Sequence, residues 1–170
     1  MNNITLKEVS IEDLNNMEIY ELLQNIDSNE NGFINSGFGI SRENYNDYIK
    51  DLIEKKTYYN KEKGHVPQII FWMFNNKEAI GFSKLRLELT EKLRKDGGNI
   101  GYGISKNKRN KGFGKILLKL TLLEAKKHKI HKVLLTCNSK NISTKKVIES
   151  NNGILEKEEN DKCWYWIDII

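Results

Sequence analysis

The sequence is poor in cysteine and proline, and it has no long apolar run. Its two cysteines, Cys137 and Cys163, are too few for the disulfide framework of a small secreted protein or for a cysteine-rich zinc site. No apolar segment approaches the roughly 20 residues that cross a bilayer, and residues 1–8 lack the apolar region of a signal peptide. We therefore expect a cytoplasmic protein with reduced core cysteines, no membrane association and no bound metal.

The charge balance is only mildly basic. Lys and Arg number 28 against 23 Asp and Glu, which gives a formal net charge of +5. A surplus of this size permits an anionic ligand without requiring nucleic acid. The aromatic residues also lie mostly in apolar runs, not along a basic stripe. We expect no nucleic-acid partner, and the length favours one domain over residues 1–170.

Hydrophobic periodicity predicts strands and helices that alternate along the chain. The predicted helices are 13–26, a segment that follows the N-cap Ser41 and runs to Ile53, 113–128 and 142–150. The predicted strands are 4–9, 68–74, 79–89, 99–104, 132–137, 154–155 and 163–170, with polar loops at 28–39 and 90–98. This order predicts a single-domain α/β fold with a mixed, mostly antiparallel sheet of about seven strands and about four flanking helices.

A basic turn that contains two glycines, at 109–115, stands between a predicted strand and a predicted helix. The start of a helix has unpaired backbone N–H groups and the positive end of the helix dipole. Glycine lets a ligand approach the backbone closely, and Arg109, Lys111 and Lys115 add positive charge. The turn therefore predicts an anion site.

Two familiar phosphate motifs do not fit this turn. In a Walker A loop Ser or Thr would follow Gly114-Lys115, but Ile116 stands there and the earlier glycine is missing. Gly101 and Gly103 lie inside a predicted strand, and Lys106 occupies the place of a third dinucleotide-binding glycine.

The pattern Arg-x-x-Gly-x-Gly at Arg109, Gly112 and Gly114 resembles the acyl-coenzyme A loop of the GNAT superfamily of N-acetyltransferases. Asn141, at the start of the next helix, and Gly153, in the turn to the following strand, also match that family. The resemblance covers about residues 79–156. It is closer to a subgroup of uncharacterised bacterial predicted acetyltransferases, through the segments 66–67, 71–72, 85–86, 97–102 and 133–137.

The resemblance implies the acyl-CoA N-acyltransferase fold and acetyl-CoA as co-substrate. The 99–104 and 132–137 strands would splay apart around it, with the pyrophosphate on the N–H groups of 111–115 and the thioester carbonyl on the backbone of Ile104. The family's asparagine at Asn141 contacts the pantetheine arm. The implied cofactor-binding residues are Ile104, Arg109, Asn110, Lys111, Gly112, Phe113, Gly114, Lys115 and Asn141.

Two residues are candidates for the catalytic acid and base, Glu88 and Tyr102. Glu88 is the nearest carboxylate on a strand beside the site, so it is either a general base or part of a solvated strand face with Lys84 and Arg86. Tyr102 is a core residue, a substrate wall or a proton donor. The family often has a tyrosine as general acid where this chain has Ile148, so that acid is missing from its usual position.

The acceptor is expected to be a small-molecule amine. Arg86 is a candidate to bind an acidic group on it, and Phe33 and Phe38 either pin the 28–39 loop to the core or wall the acceptor pocket. We expect an acetyl-CoA-dependent N-acetyltransferase that works by direct attack in a ternary complex, as a monomer or homodimer. The alternative is a non-catalytic acyl-CoA sensor with the same fold.

Overall fold

The computed structural model describes residues 3–29, 32–60 and 62–170, so the predicted loop at 28–39 and the N-terminal stretch are described only in part. The strands are β1 (Ile4–Glu8), β2 (Gln68–Asn75), β3 (Glu78–Arg86), β4 (Ile100–Ile104), β5 (Lys132–Asn138), β6 (Ile154–Glu159) and β7 (Lys162–Asp168). The α-helices are α1 (Met17–Gln24), α2 (Arg42–Glu54), α3 (Glu91–Lys95), α4 (Phe113–Lys127) and α5 (Ile142–Glu149).

The strands form two antiparallel sheets, with the orders β1-β2-β3-β4 and β5-β7-β6. The α/β class and the strand positions are confirmed, and the predicted sheet is divided between β4 and β5. Each of these two strands is therefore the edge of its own sheet. This division creates the cleft described below.

The four-stranded sheet is buried on both faces. Ile70, Trp72 and Phe74 pack with the helices α1 and α2. Their neighbours Phe71 and Met73 lie on the opposite face, towards α4 and the second sheet. A strand covered on both sides reads as a continuous apolar run, which is the pattern of β2 in the sequence. Within the described ranges, no helix combines the length and apolar character needed to span a membrane.

Several predicted boundaries were wrong, among them the short strand predicted at 154–155, which runs to Glu159. The predicted helix 13–26 begins only at Met17, because Asn15 adopts a left-handed φ of 59° and Asn16 caps the helix. The strand predicted to Leu89 ends at Arg86. The predicted loop 90–98 contains α3, whose first turn is capped by the Thr90 hydroxyl, so the described residues form five α-helices.

Candidate active site

An open cleft of about 640 Å³ lies between the edges of β4 and β5. The two edges are fastened at one point: the Asn99 amide donates to the Leu134 carbonyl at 2.7 Å, and the Leu134 amide donates to Asn99 Oδ1 at 2.8 Å. Beyond this point no ladder joins the strands. Residues Ile100 to Ile104 on one side, and Leu135 to Cys137 on the other, line the gap.

The backbone of β4 presents donors to this gap. Asn99 and Ser105 bond to β3, through Arg86 N–H to Asn99 O at 2.8 Å and Ser105 N–H to Ile80 O at 2.9 Å. Because hydrogen bonding alternates along an antiparallel ladder, the N–H groups of Tyr102 and Ile104 lie on the edge away from β3. The Ile104 amide therefore faces the cleft.

The start of α4 closes one end of the cleft. Gly112 is its N-cap with φ of 81°, and it supplies no capping side chain. Every other α-helix in the described ranges has a side-chain cap, from Asn16, Ser41, Thr90 and Asn141. No acidic residue lies in the first turn of α4. The leading amides are therefore left for water or for an anion.

Basic side chains surround this helix start. The Arg109 Nε donates to the Ile104 carbonyl at 3.0 Å, which ties the basic turn to the end of β4. Lys108 pairs with Glu78 at 2.6 Å. Asn110 and Gly112 both have positive φ, a turn geometry that directs successive N–H groups into a concavity.

The structure brings most of the predicted cofactor residues together. Those that line the cleft are Ile104, Arg109, Asn110, Gly112, Gly114, Lys115 and Asn141. Lys111 is exposed and bonds to the Asn107 carbonyl at 3.2 Å. Phe113 packs beneath the turn in the core with Leu117.

The helix α5 supports the other side of this end. The Asn141 Oδ1 accepts from the Thr144 amide at 3.1 Å, which caps α5 and fixes the side chain at the cleft. The buried Asn151 Nδ2 donates to the Lys115 carbonyl at 3.3 Å and to the Val147 carbonyl at 2.9 Å. These bonds hold α4 and α5 together. Ile148 is fully buried and offers no proton at the cleft.

Tyr102 lies on the wall between these two helices. Its hydroxyl is buried and makes no hydrogen bond within the described ranges, although Thr144 lies close. A Cβ at Gly114 would lie 3.7 Å from the Tyr102 ring. Burial raises the pKa of the phenol well above its ordinary value, so the Tyr102 hydroxyl stays protonated at neutral pH.

Cys137 is the cysteine that lines the cleft. Burial, followed by the neighbouring Cys163, raises the pKa of its thiol to about 11. A thiol of that pKa is protonated at neutral pH and is a poor nucleophile. Both cysteines are free and buried, although they face each other in the β5–β7 register.

The loop before α2 covers the opposite end, which we call the acceptor end. The Phe33 ring packs 5.0 Å from the Phe82 ring, and a Cβ at Gly103 would lie 2.8 Å from it. Phe33 thus pins the loop to the core and also lines the cleft. Phe38 is exposed and does not line it.

The charged side chains of β3 and of the residues that follow it were expected on one solvated face, and only some of them are exposed to solvent. Glu88 lies beyond the strand end, exposed, with its carboxylate 3.4 Å from the Tyr59 hydroxyl, and it does not line the cleft. Arg86 does line it. Lys84, expected on a solvated face, is only 9% exposed because the Phe33 loop covers it. In the sequence, the alternation of charged and apolar residues on β3 was the signal that Lys84 and Arg86 share one face of the strand.

The chain is similar in fold to solved acetyltransferases. A GNAT-family acetyltransferase of Streptococcus pneumoniae matches at 15% identity and a TM-score of 0.65, over 99% of this chain and 100% of that one. The ribosomal-protein-S5-alanine acetyltransferase of Vibrio fischeri matches at 12% identity and a TM-score of 0.68, over 99% and 94%. Salmonella typhimurium yncA, with its cofactor acetyl-CoA, matches at 11% and 0.63, over 99% and 95%.

A comparison with curated proteins finds no relative. The family model described as an acetyltransferase (GNAT) domain matches residues 3–153. This match spans the cleft, the basic turn and both helices that support it. The chain therefore belongs to the GNAT acetyltransferase family.

Proposed function

We propose that this protein transfers an acetyl group from acetyl-CoA to the primary amine of a small molecule. The observation that carries the proposal is the uncapped, basic start of α4 at one end of a cleft between two unpaired strand edges. Acetyl-CoA would supply the activated acetyl thioester. Its anionic part would be held by the amides of the 109–115 turn with Arg109 and Lys115, and its arm would lie along Asn141 and the edges of β4 and β5.

The chain's own residues support direct attack. The amine nitrogen bonds to the carbonyl carbon as the carbon–sulfur bond breaks, and overall one proton passes from nitrogen to sulfur. The Ile104 N–H is the donor for the developing oxyanion. Tyr102, which lines the cleft, is the candidate to protonate the leaving thiolate. The protonated Cys137 thiol argues against an acetyl-cysteine intermediate.

The acceptor is the least constrained part of the proposal. Some solved neighbours modify ribosomal proteins, such as the S5-alanine acetyltransferase. In this chain the acceptor end is covered by the Phe33 loop and lined by buried side chains. A covered pocket of this kind fits a small molecule better than the flat surface of a folded protein.

Two measurements test the proposal. Titration calorimetry with acetyl-CoA is expected to give saturable binding, and release of free thiol is expected with at least one member of an amine panel. Absence of acetyl-CoA binding would refute both the transferase and the sensor. The sensor is favoured by Ile148 in place of a catalytic tyrosine. It would be supported by tight acetyl-CoA binding with no thiol release on any small amine or N-terminal peptide.

A further inference from the structure

Two cations are buried side by side at the acceptor end. Lys84 and Arg86 are two residues apart on β3, so their side chains lie on the same face of the strand. Both line the cleft, and Lys84 is 9% exposed. Arg86 is partly buried. Lysine and arginine are rarely buried without a partner.

Neutral carbonyl groups hold both side chains in place. The Lys84 Nζ donates to the Ile34 carbonyl at 2.6 Å. The Arg86 Nη1 donates to the carbonyls of Gly97 and Gly98 at 3.3 and 3.2 Å. These bonds use one of three N–H donors on Lys84 and one nitrogen of the Arg86 guanidinium. Within the described residues the two side chains make only these hydrogen bonds, and both side chains line the cleft.

The acceptors are themselves fixed. The buried Asn35 side chain holds the segment next to Ile34, since its Nδ2 donates to the carbonyls of Leu23 and Ile26 at 2.8 and 2.6 Å. The amide of Gly97 donates to the Thr136 hydroxyl at 3.0 Å. The two cations are therefore presented by a rigid frame, as a binding subsite requires.

Within the described residues neither cation forms an ion pair, although the charge of Asp96 raises the pKa of Arg86 against the larger, opposite effect of burial. Within the described ranges, no carboxylate lies within 4.0 Å of either cation. Asp96 is the single acidic residue among those that line the cleft, and its carboxylate bonds to the Lys162 ammonium at 2.9 Å. The burial of Lys84 and the partial burial of Arg86, without an ion pair on either, cost free energy in the empty protein. An anionic ligand group would remove that cost.

We infer that the acceptor is a small amine that carries a carboxylate, bound by Lys84 and Arg86. This inference rests on the proposed function. The planar guanidinium of Arg86 matches a carboxylate in a two-point contact, and Lys84 adds a point charge. The apolar part of the acceptor would lie against Phe33.

The same two cations also bear on the reacting amine. A nearby positive charge disfavours an ammonium ion and lowers its pKa, so it increases the fraction of neutral amine that can attack. A polyamine, with several cations and no anion, would be repelled by the same pair. The subsite therefore selects amino-acid-like acceptors over polyamines.

Matched acceptors test the inference. Thiol release is measured with acetyl-CoA, the common L-amino acids and the corresponding amino acid carboxamides. A charged hydrogen bond of about 1.5–3 kcal/mol corresponds to roughly 10- to 150-fold in kcat/KM in favour of the carboxylate. Lys84→Gln and Arg86→Gln are expected to reduce this preference at least tenfold. Lys95→Gln, on the exposed helix α3 outside the cleft, is expected to leave it unchanged.

Equal rates for acid and amide, or a preference for polyamines, would overturn the inference and leave the transferase proposal intact. A preference for N-terminal peptides without a nearby carboxylate would overturn both the inference and the small-molecule acceptor, and would leave acetyl transfer from acetyl-CoA intact. Should no amine react, N-acetyl amino acids and their amides are compared by thermal shift. A larger shift for the acid, lost in Arg86→Gln, supports the subsite, and equal shifts overturn it. Stabilisation by acetyl-CoA reports separately on the other end of the cleft, at the 109–115 turn, which we call the cofactor end.

Discussion

Asn99 bonds to Leu134 through both its backbone and its side chain, at the point where β4 and β5 part. Its Nδ2 also donates to the Arg86 carbonyl at 3.2 Å. One buried residue thus joins three strands and sets where the cleft begins. It also fixes the backbone of a residue in the inferred acceptor subsite.

Replacement of this side chain should destabilise the fold. Asn99→Ala leaves the buried Leu134 amide without its acceptor, which costs about 1–3 kcal/mol of the free energy of unfolding. Asn46→Ala is a matched control, because Asn46 also makes two hydrogen bonds, both to Asn15 at 2.8 Å, but at a partly exposed site. Urea denaturation measures both. Equal losses would contradict the role of Asn99 as the buried link between the sheets.

Gly112 gives a direct test of the cofactor end. A Cβ at this position would meet no atom within 4 Å, so a side chain fits, although the φ of 81° strains most residues. Asn tolerates this φ. We expect Gly112→Asp to weaken acetyl-CoA binding at least tenfold more than Gly112→Asn, because only the former puts a carboxylate beside the pyrophosphate. Calorimetry measures both affinities. Similar affinities for the two variants would refute the placement of the pyrophosphate.

Local patterns were sufficient to predict the elements around the cofactor end. The basic turn lies between an apolar strand and an amphipathic helix, and its glycines and charges are adjacent in sequence. Asn141 was predictable as a helix start, because Asn is a favoured N-cap. The positions of α4, β5 and α5 follow from the same short-range signals.

The acceptor end was not predictable in the same way. Lys84 and Arg86 alternate with apolar residues, which also describes a solvated strand face. These two side chains are buried because the loop that contains Phe33 folds back over β3 and β4. The contact between Lys84 and Ile34 in this loop joins segments about 50 residues apart in the sequence. Glycines 101 and 103 fit this packing, because the Phe33 ring lies directly over them. Patterns in a single sequence do not indicate which distant segment will pack over a strand.

Tyr102 is predicted to affect catalysis without supporting the fold. Tyr102→Phe removes a buried hydroxyl that lacks a hydrogen bond, so stability should be unchanged or slightly higher. If Tyr102 protonates the thiolate, kcat should fall by roughly 10- to 100-fold, with little change in acetyl-CoA affinity. Thermal melting, calorimetry and steady-state kinetics measure the three effects. An unchanged kcat would remove Tyr102 from the mechanism.

Cys137 is predicted to be dispensable for chemistry. Its thiol has a pKa of about 11 and is protonated at neutral pH. Cys137→Ala should keep kcat within about threefold while costing roughly 1 kcal/mol of stability for the lost buried sulfur. Intact-mass analysis of the wild-type protein with acetyl-CoA alone should show no added acetyl group. An acetylated Cys137, or loss of activity in the variant, would point to a covalent intermediate.

Lys84 should give the stability of the protein a pH dependence of known sign. Burial, with smaller effects from Arg86 and Lys55, lowers its pKa from 10.5 to about 8 in the folded state. Between these values the unfolded chain holds a proton that the folded chain has lost, so folding becomes more favourable as pH rises. The Lys84→Met variant has no titrating group at this position, so its stability lacks this pH dependence. The stability of the wild type relative to Lys84→Met should therefore increase by about 2 kcal/mol from pH 7 to pH 10.

Urea denaturation at several pH values measures the difference, with Lys95→Met as the exposed control. Parallel pH profiles for wild type and Lys84→Met would show that Lys84 is not held in a desolvated, cationic site.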